Sequence, residues 1–160
     1  MLGLYIHIPF CRQKCFYCDF FSAKYDEDIA NEYVEALIMQ AKQFEKTKID
    51  TIYIGGGTPS VLSYEQIEKL ILSLKRIFDL SQLKEWTFEA NPESIDKEKL
   101  KLLKDLKINR LSIGLQSYFD KDLEFLGRLH NCQKSIEVLE SAKEAGFDNI
   151  NIDLIYGLPL

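Results

Sequence analysis

Short β-branched runs alternate with amphipathic helical stretches along the whole chain, and that alternation restricts the fold more than any single residue does. Leu2 to Ile8 reads as a first strand. Residues 27–46 read as a helix, with Ile29, Ala30, Tyr33, Leu37, Ile38, Ala41 and Phe44 on one face at three- and four-residue steps. Thr51 to Ile54 is a second strand, and Ser63 to Gln66 has the pattern of a capping box. The helix it opens keeps Ile67, Leu70, Ile71, Leu74, Ile77 and Phe78 in register. Glu85 to Ala90 is a third strand, stopped at Asn91-Pro92 because proline cannot donate to a ladder. A helix over Asp96 to Leu106 turns Leu100, Leu103 and Leu106 inward. Arg110 to Leu115 is a fourth strand, and the polar and aromatic stretch from Gln116 to Gln133 has room for short helical pieces. Lys134 to Ala145 is a helix closed by Gly146. Asn149 to Ile155 is a fifth strand, running into Tyr156-Gly157-Leu158-Pro159.

Such alternation makes βαβ units and a parallel sheet. The expected fold is therefore α/β, a parallel βα-repeat of the partial TIM-barrel kind with about five strands. The fifth strand has no helix after it, which predicts a barrel cut off before it is complete. An uncovered parallel edge at that strand is a place for self-association.

The chain has 160 residues, a net charge of −5 and 46% hydrophobic residues, enough for one domain with its own core. Its mild acidity argues against a nucleic-acid surface. No apolar run approaches a membrane span, and no charged, then apolar, then small-residue leader pattern opens the chain. Cytoplasm is the expected location, where free thiols and oxygen-sensitive centres persist.

Three of the four cysteines fall within eight residues, Cys11-Arg12-Gln13-Lys14-Cys15-Phe16-Tyr17-Cys18. They follow the first strand directly, so one loop at a strand's C-terminal end presents three thiolates. Three soft thiolates hold an iron–sulfur cluster or a zinc ion. A cubane cluster normally takes four cysteines, and three leave one iron open to a non-protein ligand. Zinc in a structural site wants a fourth ligand, for which His7 or Cys132 is available. A disulfide cannot use all three.

In a parallel βα barrel, chemistry gathers where strands end. The first strand delivers the cysteine loop and the second Gly55-Gly56-Gly57-Thr58-Pro59-Ser60. The third delivers Glu89, the fourth Gln116 and Ser117, the fifth Asp153. The glycines let backbone approach a ligand and leave N–H groups for a carboxylate or phosphate, although a tight βα turn explains them equally well. Glu89 is a candidate hydroxyl-binding acid or else a solvated or capping one. Asp153, in an apolar run, needs a partner, and Arg128 or Arg110 is expected to supply it. Gln116 offers both an amide donor and an acceptor. Blander readings suit the rest: His7 as a satisfied core histidine, Cys132 as a small buried hydrophobe, and Lys97 to Lys107 as a solvated helix face.

The spacing C-x3-C-x2-C, with Tyr17 before the last cysteine, resembles the radical S-adenosylmethionine (radical SAM) superfamily. The runs Tyr5 to Cys11, Cys15 to Phe20, Gly55 to Ser60, Glu89 to Pro92, Ser112 to Ser117, Leu126 to His130 and Asn151 to Pro159 together resemble the oxygen-independent coproporphyrinogen III oxidase family over nearly the whole chain. The resemblance implies a 4Fe-4S cluster on Cys11, Cys15 and Cys18. It implies SAM contacts at Tyr5, Tyr17, Gly56, Gly57, Thr58, Glu89, Gln116, Arg128 and Asp153. The true oxidases, which decarboxylate coproporphyrinogen III in porphyrin biosynthesis, carry an N-terminal extension and a further cysteine two positions after the third. Here that position is Phe20 and the motif starts near the first residue, as in the HemW-like branch of heme chaperones. Such proteins bind heme as cargo and hand it to an acceptor protein, and cluster reduction needs an electron donor. The alternatives are a true oxidase and a zinc-stabilised, non-enzymatic binding module. Members of the family are much longer, which implies that residues 1–160 are the N-terminal part of the core domain. The remaining barrel, the C-terminal domain and the branch's His-Asn-x-x-Tyr motif would lie beyond them, and residues 1–160 alone would be inactive.

Overall fold

The computed structural model describes residues 2–159. Five parallel strands, β1 (Gly3–Ile8), β4 (Thr51–Gly56), β5 (Glu85–Ala90), β6 (Arg110–Gln116) and β7 (Ile150–Leu154), lie side by side in that order. Chain order and spatial order coincide, as in a barrel wall built one βα unit at a time. Two-residue strands β2 (Phe10–Cys11) and β3 (Ala23–Lys24) pair beside the sheet and close the base of the cysteine loop. The helices are α1 (Glu27–Ala41), α2 (Tyr64–Ile77), α3 (Lys97–Asp105), α4 (Asp120–Phe125) and α5 (Cys132–Glu144). Single 3-10 turns occupy Lys42–Phe44, Pro59–Val61 and Pro92–Ser94.

The two faces of the sheet differ in chemistry because side chains alternate along a strand. One face carries Ile6, Ile8, Ile52, Ile54, Trp86, Phe88, Leu111, Ile113 and Leu115, all buried in the core beneath the helices. Full burial of each such side chain contributes roughly 1.5–3 kcal/mol. The other face carries Tyr5, His7, Tyr53, Glu89, Ser112 and Asp153. The register sets Tyr5 beside Tyr53, Glu89 beside Ser112 and Gly114 beside Asp153. This polar face is the inner wall of the barrel segment, and its upper end forms the candidate site.

Helix α2 follows its sequence pattern closely. Ser63 and Gln66 form the reciprocal capping box, and Ile67, Leu70, Ile71, Leu74, Ile77 and Phe78 are all buried. Helix α3 likewise buries Leu100 and Leu103 and ends with Leu106 as its C-cap. The expected helix over 27–46 stops sooner. It ends at Ala41, passes through a 3-10 turn and reverses at Lys46, where φ is 63°. Phe44 and Ile29 therefore face solvent, at 57% and 58% exposure, and Val34 takes an inward place that the periodicity did not give it. The expected helix from Lys134 begins earlier, with Asn131 as N-cap, so Cys132 is the first helical residue and only half-buried. The stretch after β6 does contain a short helix, α4. Strand β7 is an edge strand, with Ile152 and Leu154 exposed.

Candidate functional site

The cysteine loop is held against the strand ends by bonds from three other parts of the chain. Thr58 N donates to Phe10 O at 2.8 Å and Gly57 N to Ile8 O at 2.9 Å, fixing the loop's start to the glycine turn. Tyr25 N donates to Cys11 O at 2.9 Å, closing its base. At the far side Phe16 N donates to Leu126 O at 3.1 Å and Gln13 Nε2 to Gly127 O at 3.3 Å. Glycine is required at 57, where a Cβ would come within 2.8 Å of Phe10 O and 3.0 Å of Cys11 Sγ. Gly56 has φ of +122°, in the region that disfavours other residues.

These constraints leave one cavity of about 530 Å³ at the C-terminal ends of the strands. Cys11, Cys15 and Cys18 line it from the loop side, with Tyr17 between them. Gly56, Gly57, Thr58, Glu89, Gln116, Arg128 and Asp153 line it from the strand ends. Eleven of the twelve residues singled out in the sequence thus share one cavity. The exception is Tyr5, which is half a strand lower, 56% exposed, and linked to the site through its ring neighbour Tyr53 and its bond to His7 Nδ1 at 3.0 Å. His7 is accordingly a partly exposed inner-wall residue rather than a core histidine.

Each lining group has a definite setting. Glu89 accepts from Tyr53 Oη at 2.5 Å and from Gly56 N at 3.1 Å. Burial raises its carboxyl above the usual range, and these two bonds offset part of the rise. Asp153 does not pair with Arg128 or Arg110, as its apolar sequence context suggested. It is exposed, and it accepts from Asn151 Nδ2 at 2.7 Å and from Ser112 Oγ at 3.5 Å. No arginine is needed, because solvent and two polar neighbours already stabilise the charge. Arg110 points lower on the wall, to Thr87 Oγ1 at 3.2 Å. Gln116 has φ of 71° at the irregular end of β6, which folds its amide back over Gly114.

Arg128 is the site's buried cation. It donates to Gly114 O at 2.8 Å, Cys15 Sγ at 3.4 Å and Tyr17 Oη at 3.4 Å, and its Nε has no partner among the described residues. Behind it stands Glu93, with an oxygen 3.8 Å from Arg128 Nη2 and 3.1 Å from His130 Nδ1. His130 Nε2 lies 3.2 Å from Leu115 O, so each ring nitrogen faces an oxygen. Burial pushes Glu93 up, but His130 and Arg128 outweigh it and leave the carboxyl below its ordinary value. Burial is likewise the main cause that raises the Tyr17 phenol to about 12, against the lowering effect of Arg128.

A second line of contacts runs from the helices to Cys11. Lys99 is buried, and its ammonium donates to Ser60 O, Leu62 O and Ser94 O at 2.8, 3.0 and 3.1 Å. Its place in a charge-rich helix predicted a solvated face, but two 3-10 turns aim their carbonyls at it. Ser60 Oγ accepts from Asn91 N at 3.1 Å, and Asn91 Nδ2 donates to Thr58 Oγ1 at 3.0 Å. Thr58 Oγ1 in turn lies 3.5 Å from Cys11 Sγ. Sequence reading missed Tyr53, Asn91, Glu93, Ser112 and His130 as site residues. For Tyr53 and Ser112 the signal was present, since they share the two-residue alternation that carries Glu89 and Asp153.

The donor set, three soft thiolates on one loop, fits an iron–sulfur cluster. All three thiols are free and edge the same cavity. No helix among the described residues is long and apolar enough to cross a membrane.

A parallel βα sheet with a three-thiolate loop, a glycine turn and acids at the strand ends is the architecture of one class of proteins. The family model of the radical SAM superfamily matches residues 5–160, and the chain belongs to that superfamily. It is 45% identical to the heme chaperone HemW of Lactococcus lactis subsp. lactis (strain IL1403), over 97% of this chain and 41% of that protein. To the heme chaperone HemW of Bacillus subtilis (strain 168) it is 43% identical, over 99% of this chain and 43% of that protein. Among solved structures it resembles the radical SAM enzyme coproporphyrinogen III oxidase, HemN, of Escherichia coli. The TM-score is 0.89 at 32% identity, over 98% of this chain and 37% of that one. The chain therefore spans about two fifths of the length of the curated relatives it matches. The family implies a 4Fe-4S cluster and SAM.

Proposed function

We propose that Cys11, Cys15 and Cys18 hold a 4Fe-4S cluster, that SAM binds beside it, and that the whole protein is a heme chaperone of the HemW type. The observation that carries this reading is the convergence of three free thiols and of polar groups from four strand ends on one cavity. When bound, the cluster and SAM supply one-electron reductive cleavage of a sulfonium bond.

The chain's own part is binding and orientation. The N–H groups of Gly56, Gly57 and Thr58 are held by Glu89, Ile8 O and Phe10 O, so the turn offers close backbone approach rather than free donors to the amino acid end of SAM, and Arg128 suits its carboxylate. Glu89 and Asp153 suit the ribose hydroxyls, and the Gln116 amide suits a polar edge. The aromatic rings of Tyr17 and, from lower on the wall, Tyr5 shield the site's flanks. Residues 1–160 act here as the N-terminal part of the core domain, with heme and its acceptor engaging the whole protein in the cytoplasm.

Anaerobic reconstitution followed by iron and sulfide analysis tests the first part. About four irons and four sulfides per chain are expected, falling sharply in Cys11→Ala, Cys15→Ala and Cys18→Ala; zinc alone at the thiolates would refute it. For the chaperone role, heme transfer from the full-length protein to an apo-acceptor is the expected result. The resemblance to HemN favours a second reading, the oxidase. Anaerobic turnover of coproporphyrinogen III by the full-length protein with SAM and a reductant would establish that reading in place of the first.

A further inference from the structure

The cysteine loop has an outer side as well as an inner one. A second cavity of about 310 Å³ lies there, lined by Arg12, Lys14 and Lys24 with Cys11, Gln13 and Ser22. Cys11, Gln13 and Lys14 line both cavities, so only the thickness of the loop separates the outer hollow from the candidate cluster site. No carboxylate lines the outer hollow, and none of its three cations is in an ion pair among the described residues. Asp19 of the same loop lies outside this lining, and Asp26, which follows it, caps the start of α1. In a chain of net charge −5 this is a concentrated positive rim. Preceding Ser22 in the loop, Phe20, which lines the inner cavity, and Phe21 are 73% and 79% exposed.

We propose that this rim is the docking surface for an acidic one-electron carrier protein. The inference rests on the cluster reading above. Its step is one electron passing from the reduced carrier to the cluster; the carrier is oxidised by one, the cluster reduced by one, and no bond forms or breaks. Encounters between redox proteins bury little area and are steered by charge, which matches a small hollow lined by three cations, unpaired among the described residues, and by no carboxylate. Three cations on an otherwise acidic chain are a poor match for a nucleic-acid backbone, whose binding scales with the number of phosphates neutralised.

The test uses the anaerobically reconstituted protein and Arg12→Glu/Lys24→Glu, with cluster reduction followed by visible bleaching in stopped flow. The probes are a reduced acidic flavodoxin and reduced methyl viologen, a small cation that needs no docking patch. The expected result is a fall of about tenfold or more in the flavodoxin rate and loss of its decline with salt. Reduced methyl viologen should react at an unchanged or higher rate. A flavodoxin rate within about twofold of the parent would overturn the proposal, as would equal slowing with both reductants. Failure of the parent chain to take up iron and sulfide would instead overturn the cluster reading itself, so the two failures are distinguishable.

Discussion

Glu93→Gln isolates the charge behind Arg128 while conserving side-chain shape. The two side chains are 3% and 15% exposed, and their closest charged atoms are 3.8 Å apart. At an effective dielectric near 20, that separation corresponds to about 4 kcal/mol of attraction. Removing one partner of a buried pair typically costs about 3–5 kcal/mol, because the other charge is left uncompensated. The amide that Glu93→Gln introduces keeps a hydrogen bond toward His130, so the lower end of that range, about 3 kcal/mol, is expected. For a chain of 160 residues this is a fall in Tm of roughly 6–12 °C. The assay is thermal unfolding by circular dichroism at neutral pH and moderate salt, where a pair this buried is little screened. A double-mutant cycle with Arg128→Met should recover part of the loss, since the orphaned cation is then gone. A fall in Tm of less than about 2 °C in Glu93→Gln would refute the reasoning. It would mean that Gly114 O and the thiol loop alone satisfy the guanidinium.

Three further perturbations read other parts of the site. Lys99→Met removes the donor to three buried carbonyls and should cost about 2–4 kcal/mol in urea unfolding; a midpoint unchanged from the parent would deny the ammonium its role. Gly57→Ala places a Cβ 2.8 Å from Phe10 O and 3.0 Å from Cys11 Sγ, so the loop must shift; iron uptake on reconstitution should drop while the far-ultraviolet dichroism stays the same. The two carboxyls predict opposite pH effects. Glu93, lowered in the fold, contributes stability above its ordinary pKa of 4.5 that is lost as pH falls through that value and below. Glu89, raised in the fold, costs stability that appears as pH rises above 4.5, so the stability of Glu89→Gln relative to the parent should improve between pH 4 and pH 7. Tm measured across that range on both variants checks both signs.

What the sequence made legible was whatever depends on local pattern. The capping box at Ser63, the alternation along β4 to β7 and the cluster of cysteines each have a period or spacing that survives in one dimension. The strand ends followed, because a parallel βα order fixes which end of each strand faces the site. The misses share a different cause. Lys99 sits in a run of charges that reads as solvated, and only the carbonyls of two distant turns make its burial favourable. Glu93 and His130 lie 37 residues apart and meet directly, with Leu115 O of β6 at the other nitrogen of the ring. The apolar strand around Asp153 predicts burial beside an arginine, whereas the inner wall is polar and open. The apolar residues of α1 continue past Ala41 into a turn that faces water, so their periodicity predicts a longer helix than forms.

The arrangement also explains how a loop so rich in exposed side chains can present three sulfurs in a fixed relation. Between Cys15 and Cys18 the loop has one local backbone bond, Cys18 N to Cys15 O at 3.1 Å, which would not order it alone. Its shape comes from the glycine turn on one flank and from the segment 126–128 on the other. Arg128 reaches Cys15 across a sequence separation of 113 residues and is itself braced by Glu93 and His130. Placing the thiols on a scaffold-held loop moves the ordering cost from the moment of cluster binding to the folding of the domain. A substitution at Glu93, which touches no thiol, should therefore register in how readily the three cysteines take up iron.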